Sequence, residues 1–335
     1  LPCCLRLRLL VLIFVNLLKI NLKIQNMNLF FDTQLGKQQN KATHKIRVMS
    51  EAWLEKNGYC PCCGSKPMQR FANNKPVADL FCPNCHEQYE LKSKNQKTIG
   101  NSVPDGAYRT MLERIRSDTN PNFFFLAYKK ADYSIRQLVL VPKHFITPDM
   151  IIPRNKGIKN RPHHIMCSIN LAPLPESGKI FLIDDSRIIE PETVLKKWQS
   201  NLFLRNQNAE RKDWLLAVMK CIDQLTEEFT LSQMYEFENK LSIQFPQNNH
   251  IKDKIRQQLQ ILRDQNMIEF IGRGLYKKNR QIAPNSQGVL ISNHDTEFTR
   301  NIYSSAILKT VEVQRNIAAK GSSRKKVGEL LAIYD

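Results

Sequence analysis

With 335 residues, 42% of them hydrophobic and 24% charged, the chain has the make-up of ordinary folded domains, two at the usual size, which excludes a disordered, fibrous or miniature disulfide-dense scaffold. Fifty Lys and Arg against thirty-one Asp and Glu give a net charge of +19, which favours polyanionic partners, nucleic acid first and an anionic membrane surface second. Nine cysteines, an odd number with four in two tight pairs, point to metal binding in a reducing, cytoplasmic compartment rather than to a disulfide framework.

Residues 5–24, LRLRLLVLIFVNLLKINLKI, open like a signal peptide, with basic residues ahead of an apolar run. Asn16 and Lys19 break the run, no small-residue cleavage site follows, and it falls short of the roughly 20 residues that span a bilayer. Residues 1–26 therefore read as upstream sequence translated ahead of a start at Met27. A signal anchor is the alternative, and no membrane partner is expected.

Next, THKIRVMSEAWLEKNG (43–58) reads as a helix, with Ser50 offering an N-cap oxygen and Gly58 a stop. VPDGAYRTMLERIRSD (103–118) spaces Ala107, Met111 and Ile115 four apart, one apolar face of a second helix. NFFFLAYK (122–129), RQLVLVPK (136–143) and KIFLIDD (179–185) are short β-rich runs bounded by Pro, Asn or Gly. Strands around helices in this way indicate an α/β core with a central mixed sheet. Residues 150–165 are basic and aperiodic, which reads as a loop.

Beyond residue 203, KDWLLAVMKCIDQL and TLSQMYEFENKLSIQF are two amphipathic helices and NNHIKDKIRQQLQILRDQN is a third. MIEFIGRGLYKKN then offers two short apolar runs across a Gly-Arg-Gly turn, completing winged-helix order. Ile251, Ile255, Leu259 and Leu262 share one face of the third helix; His250, Asp253, Gln257 and Gln260 form the opposite stripe, flanked by Lys254 and Arg256. Polar groups able to pair with base edges, with cations beside them, suit a helix in the major groove of double-stranded DNA. Arg273 and Lys277 on the hairpin join them as candidate DNA contacts. The alternative is an ordinary solvated helix face.

Cys60 and Cys63, then Cys82 and Cys85, are two Cys-x-x-Cys pairs eighteen residues apart, within the spacing of a four-thiolate zinc site. Four thiolates close the tetrahedron and leave no position for substrate, so such a zinc is structural. Among the others, Cys62 crowds Cys63, Cys3 and Cys4 show no ligand spacing, and Cys167 and Cys221 read as core residues. If Cys82 and Cys85 form the tip of a zinc-bound hairpin, Asp79 and Glu90 come together on its arms. Alternation along YELKSK then sends Glu90 and Lys92 to one side. Two carboxylates for Mg²⁺ and an ammonium that orients or deprotonates a water are the parts for metal-assisted phosphodiester hydrolysis. A surface strand with a weak Glu–Lys ion pair is the bland alternative.

CPCCGSKPMQRFANNKPVADLFCPNCHEQYELKSK, DGAYRTMLERIRSDTNPNFFFLAYKK and NNHIKDKIRQQLQILRDQNMIEFIGRGLYKK closely resemble the DpnI-type restriction endonucleases, from about Met27 to Asn279. The resemblance implies a PD-(D/E)xK nuclease domain with an embedded zinc knuckle over 27–202, and a winged-helix DNA-binding domain over 203–279. It implies cleavage of double-stranded DNA at GATC carrying N6-methyladenine, with Mg²⁺, by a type II enzyme acting as a monomer. It carries Asp79, Glu90 and Lys92 over as catalytic residues, and Cys60, Cys63, Cys82 and Cys85 as zinc ligands. One departure stands out: where the family's nuclease domain reads the methyl group with a Trp, NRPHHIMCSINL places His164. A buried methyl contributes only about 1 kcal/mol, so losing one aromatic wall is expected to relax methyl dependence without removing cutting.

GVLISNHDTEFTRNIYSSAILKTVEVQRNIAAKGSSRKKVGELLAIYD (288–335) resembles the C-terminal end of Dam-type DNA adenine methyltransferases. The Asp-Pro-Pro-Tyr and the Gly-rich loop of that family occur nowhere in this sequence, so 280–335 is expected to be a tail that cannot methylate. Two other readings remain open: a nuclease of the same fold with a different methylation preference, and a non-catalytic zinc and winged-helix regulator.

Overall fold

Seven strands make the central sheet, and the run that reads most plainly in the sequence lies in its middle. In chain order they are β1 (Gln69–Arg70), β2 (Leu80–Phe81), β3 (Gln88–Asn95), β5 (Asn122–Lys129), β6 (Ser134–Val141), β9 (Ile180–Asp184) and β10 (Arg187–Ile188), and they lie side by side in that order. Only β3 and β5 run parallel; every other neighbour is antiparallel. The parallel step needs a crossover, supplied by β4 (Ser102–Ala107) and the helix after it, Tyr108–Arg116. β4 pairs with β8 (Met166–Asn170), and β8 with β7 (Ile151–Pro153), in a second, three-stranded sheet. This is a computed structural model, which describes residues 27–71, 78–117, 120–157, 160–279, 289–294, 300, 307–314 and 326–334. The expected upstream segment 1–26 lies outside the described residues.

Alternation along the middle strands feeds two separate cores. Phe123, Phe125, Ala127, Val139 and Val141 point into one; Phe124, Leu126, Tyr128, Leu138 and Leu140 point into the other with Trp53, Tyr89 and Trp198. A strand buried on both faces has no polar positions to spare, which is why NFFFLAYK is nearly all apolar. The first core runs on without a break into the helices that follow: Trp214, Val218 and Ile222 of Ala209–Asp223, Ile255, Leu259 and Leu262 of Ile251–Asp264, and Phe229 belong to it.

Those helices keep the expected order with one correction. The second is broken at Glu236–Phe237 into Leu231–Tyr235 and Glu238–Gln244, its start fixed by a Thr230 capping box with Gln233. The hairpin Ile268–Gly272 and Leu275–Lys278 follows, and β11 (Glu228–Thr230) adds a third strand to it. Two more corrections concern the first half. Ser50 is not an N-cap: the helix spans Ala42–Asn57, and Ser50 lies buried within it, its hydroxyl donating to the Arg47 carbonyl (3.2 Å). The expected helix over 103–118 starts only at Tyr108, because Val103 to Ala107 are needed as a strand against β8.

The chain divides into the units Leu1–Gln281 and Ile282–Asp335. In the second, Val289–His294, Ile307–Gln314 and Lys326–Tyr334 form an antiparallel sheet with the last strand in the centre. Among the described residues no helix is long and apolar enough to cross a membrane.

His144 gives the first core an acid-sensitive point. It is 5% exposed, lies 5.1 Å from the Phe145 ring, and neither ring nitrogen has an aligned hydrogen-bond partner. Burial, with the charges of Arg205 and Lys212 adding to it, pushes its pKa down to about 3 from 6.5. The unfolded chain therefore takes up this proton first, and stability present above about pH 6.5 is lost as pH falls towards 3. Moving from pH 7 to pH 5 is expected to cost about 2 kcal/mol through this residue. Urea unfolding at the two pH values should show that loss in the native chain and a clearly smaller one in His144→Phe.

Candidate active site and metal centre

The two Cys-x-x-Cys turns are built alike. In each, the first cysteine's carbonyl accepts from the residue after the second cysteine: Gly64 N–H to Cys60 (2.7 Å) and His86 N–H to Cys82 (2.9 Å). Closing the turn puts that residue in the left-handed region, φ 74° at Gly64 and 60° at His86. The four thiols converge so that all Sγ atoms lie within 4.8 Å of one another, with Cys60 to Cys85 at 3.5 Å and Cys63 to Cys82 at 3.6 Å. A tetrahedral ion with Zn–S bonds of about 2.3 Å needs thiolates about 3.8 Å apart, so this group can hold such a metal ion. Among the described residues it is the only set of three or more His, Cys, Asp or Glu gathered this closely. The Tyr89 hydroxyl, 3.0 Å from Cys60 Sγ, and Glu87 tie the centre to the sheet. Glu87 accepts from Arg205 (2.7 Å) and from the side-chain amide of buried Asn122 (2.9 Å) at the start of β5. Cys62 stands outside the four, and Cys167 and Cys221 are buried, as core residues should be.

The centre sits at the turn between β2 and β3, and β3 carries the candidate catalytic residues away from it. Tyr89 and Leu91 face the second core, so Glu90 and Lys92 emerge on the other face. There Lys92 Nζ lies 2.5 Å from Glu90 Oε1 and also pairs with Asp105, while Arg114 Nη1 is 2.9 Å from Glu90 Oε2. These four side chains are 5 to 20% exposed. Burial works against the Lys92 charge, but the Glu90 and Asp105 carboxylates outweigh it and hold the ammonium above the usual lysine value.

Asp79 is close by, though not in that cluster. The backbone N–H of Asp79 donates to the Tyr89 carbonyl (3.0 Å), while Leu80 is also paired with Tyr89. Two residues therefore oppose one, the arrangement of a β-bulge, which re-aims the Asp79 side chain. Its carboxylate accepts from the Leu91 N–H (2.8 Å), between Glu90 and Lys92, and from Arg47 (3.2 Å). Arg47 is 67% exposed.

Asp105 and Arg114 escaped the sequence reading. Both lie in the stretch read as one helix, where Asp105 would have been a solvated first-turn residue. A Pro-Asp-Gly ahead of the apolar periodicity was the available signal, since it marks a break in a helix.

The sequence profile of the DpnI, or Dam-replacing, family matches residues 27–207, more than half of the chain. The chain belongs to this family. The profile of the Dam-replacing HTH domain matches residues 210–278 of this family member. A short stretch is similar to DNA adenine methylases: 50% identical over 58 residues in Haemophilus influenzae (17% of this chain, 18% of the methylase), 53% over 53 in Salmonella typhi (16% and 19%) and 59% over 46 in Escherichia coli K12 (14% and 16%). The chain thus spans less than a fifth of the length of these curated relatives.

On the helix-turn-helix part, His250 is exposed at the N-cap of Ile251–Asp264, Arg256, Gln257 and Gln260 are exposed on that helix opposite its buried face, and Arg273 is exposed in the hairpin turn. Arg256 bonds the Tyr235 hydroxyl and sits over its ring. Lys254 is drawn off the stripe, over the Trp214 ring and 3.8 Å from Glu210, and Lys277 is 3.8 Å from Glu228. His164 is exposed just before β8; the next residue, Ile165, accepts from the Tyr108 N–H (2.8 Å), three residues past Asp105. The basic segment around it begins as β7 rather than as loop.

Proposed function

We propose that this Dam-replacing family member is a type II restriction endonuclease of PD-(D/E)xK type that hydrolyses double-stranded DNA at GATC sites carrying N6-methyladenine. The observation that carries the reading is the buried Glu90–Lys92 pair on β3, with Asp79 bonded to the N–H between them. A regulator that only binds DNA has no use for a lysine held between two buried carboxylates. Asp79 and Glu90 are the residues that would hold Mg²⁺, which when bound supplies Lewis-acid polarisation of the scissile phosphate. Lys92 keeps its charge and points its N–H donors at the attacking water and the phosphoryl oxygen, stabilising the charge that builds there. The water oxygen bonds to phosphorus and gives up a proton to solvent as the P–O3′ bond breaks, and the departing 3′ oxygen takes a proton from solvent, leaving 5′-phosphate and 3′-hydroxyl ends. The Cys60, Cys63, Cys82 and Cys85 thiolates would hold Zn²⁺ with a structural role, fixing the hairpin whose arms carry Asp79 and Glu90. Ile251–Asp264 lies in the major groove with Gln257 and Gln260 towards base edges, and Arg256 and Arg273 on phosphates. His164, next to the Ile165 that Tyr108 bonds, would be a reader of the methyl group weaker than an aromatic wall.

The test is cleavage of one GATC duplex in unmethylated, hemimethylated and fully N6-methylated forms, with Mg²⁺, by the native chain and by His164→Trp. Cutting of methylated duplexes by the native chain, with a larger preference for the full form in His164→Trp, is the expected result. Cutting regardless of methylation in both keeps the nuclease and removes the methyl reading; binding without cutting in every form leaves a regulator.

A further inference from the structure

Asp105 is the most unexpected member of the cluster. It comes from a different sheet: β4 keeps register with β8 through Pro104 and slips before Ala107, and the two residues in the slip are Asp105 and Gly106. A bulge of this kind turns a side chain out of its strand's alternation. Asp105 is turned into a pocket of about 180 Å³ lined by Glu90, Lys92, Asp105, Gly106, Thr110 and Arg114, among others. Its Oδ1 is taken by Lys92 and by the Gly106 N–H (2.7 Å). Its Oδ2 is buried and has no partner at all, in a side chain only 5% exposed. Glu90 Oε2, also in the pocket lining, makes no aligned hydrogen bond but has the Arg114 guanidinium 2.9 Å away as its ion-pair partner. A carboxylate oxygen shut away from water without a donor is costly unless something positive reaches it, and Lys92 reaches only the other oxygen of Asp105. A Cβ added at Gly106 would meet nothing within 4 Å, so the pocket stays open on that side.

The geometry points to Asp105 as a direct ligand, with Glu90, for a hard divalent cation in this pocket. The inference rests on the reading of Glu90 as a cation ligand and adds a carboxylate to it. Oxygen-only donors suit Mg²⁺ or Mn²⁺ rather than a thiophilic ion, and the pocket has room for the waters such a cation retains. The arrangement also assigns Lys92 a holder. With a cation bound, Asp105 Oδ1 would still anchor the ammonium, leaving Oδ2 for the ion. The Nε and Nη2 of Arg114, buried and without acceptors, supply the matching need for an anionic oxygen beside the cation, which a phosphodiester meets.

The experiment is binding of Mn²⁺ alone, without DNA, to the zinc-loaded full chain, followed by the electron paramagnetic resonance signal of free Mn²⁺. Asp105→Asn is expected to weaken Mn²⁺ binding by about tenfold or more, alongside a loss in Glu90→Gln. Native-like binding in Asp105→Asn with loss in Glu90→Gln overturns the Asp105 assignment and leaves the nuclease reading standing. Native-like binding in both, or none in the native chain, overturns the Glu90 site itself. Asp105→Glu guards against misfolding, since it keeps the charge that pairs with Lys92 but displaces the oxygens. Mn²⁺ affinity several-fold weaker supports a ligand, and unchanged affinity reduces Asp105 to a counter-charge for Lys92.

Discussion

Lys92→Met is expected to lower single-turnover cleavage of a methylated GATC duplex by at least about 10³-fold, with DNA affinity unchanged. Methionine keeps much of the side chain's length, so what is removed is the ammonium. In the proposed reaction that charge faces the phosphate as negative charge accumulates, in a site where its own partners are 5 and 11% exposed and solvent screening is slight. The affinity arm matters because the groups proposed to grip DNA, among them Arg256 and Arg273, lie on the helix-turn-helix part. If affinity falls as far as cleavage, Lys92 is a binding residue and its assigned role is wrong. The fold must be checked too: without the ammonium, Glu90 keeps Arg114 but Asp105 keeps only a backbone N–H. Circular dichroism of the variant settles that point before any rate is compared.

Removing a metal ion held by the four-cysteine centre is expected to unfold the half of the chain that carries it outright. Structural zinc contributes about 10–16 kcal/mol in small domains at neutral pH, against a typical whole-protein stability of about 5–15 kcal/mol, so the centre outweighs the margin it supports. Here the loss is felt beyond the turn. β2 and β1 are two residues each and have little ladder of their own, while Glu87, next to the second turn, bonds both Arg205 and Asn122. A chelator should bring the thermal transition down by tens of degrees, and added Zn²⁺ should restore it. Cys82→Ser should reproduce the loss. If a chelator does nothing while a reductant alone unfolds the chain, the cysteines are bridged and the metal centre is wrong.

What the residues disclosed beforehand follows from how local their constraints are. The cysteine pairs and the face of Ile251, Ile255, Leu259 and Leu262 are set by spacings within a turn or a single helix, and all four apolar residues are buried. Glu90 and Lys92 sharing a face needs only alternation along one strand. Asp105 could not be found that way, because Val103 becomes a strand residue only through pairing with Ile169, sixty-six positions on. Local periodicity favoured the helix, and a distant partner overrode it. Asp79 was placed near the pair, but its aim depends on an extra residue in the ladder, which leaves no mark on the alternation pattern. Ser50 failed for a related reason: its capping chemistry is real, but the helix had already begun at Ala42, so its hydroxyl bonds back along the helix instead.

The strand Asn122–Lys129 has a consequence away from catalysis. Its eight residues include three consecutive phenylalanines, it lies between β3 and β6, and both its faces are covered. Freed from those neighbours, such a segment is the kind that stacks with copies of itself into insoluble fibrils. Pro121 before it, Lys129 at its end and Lys130 after it, the two lysines exposed, stand where gatekeepers against self-association are usually placed. Covering of this strand by β3 and β6 is therefore expected to keep the chain from self-association, and a metal ion held by the cysteines at the head of β3 would favour that covering.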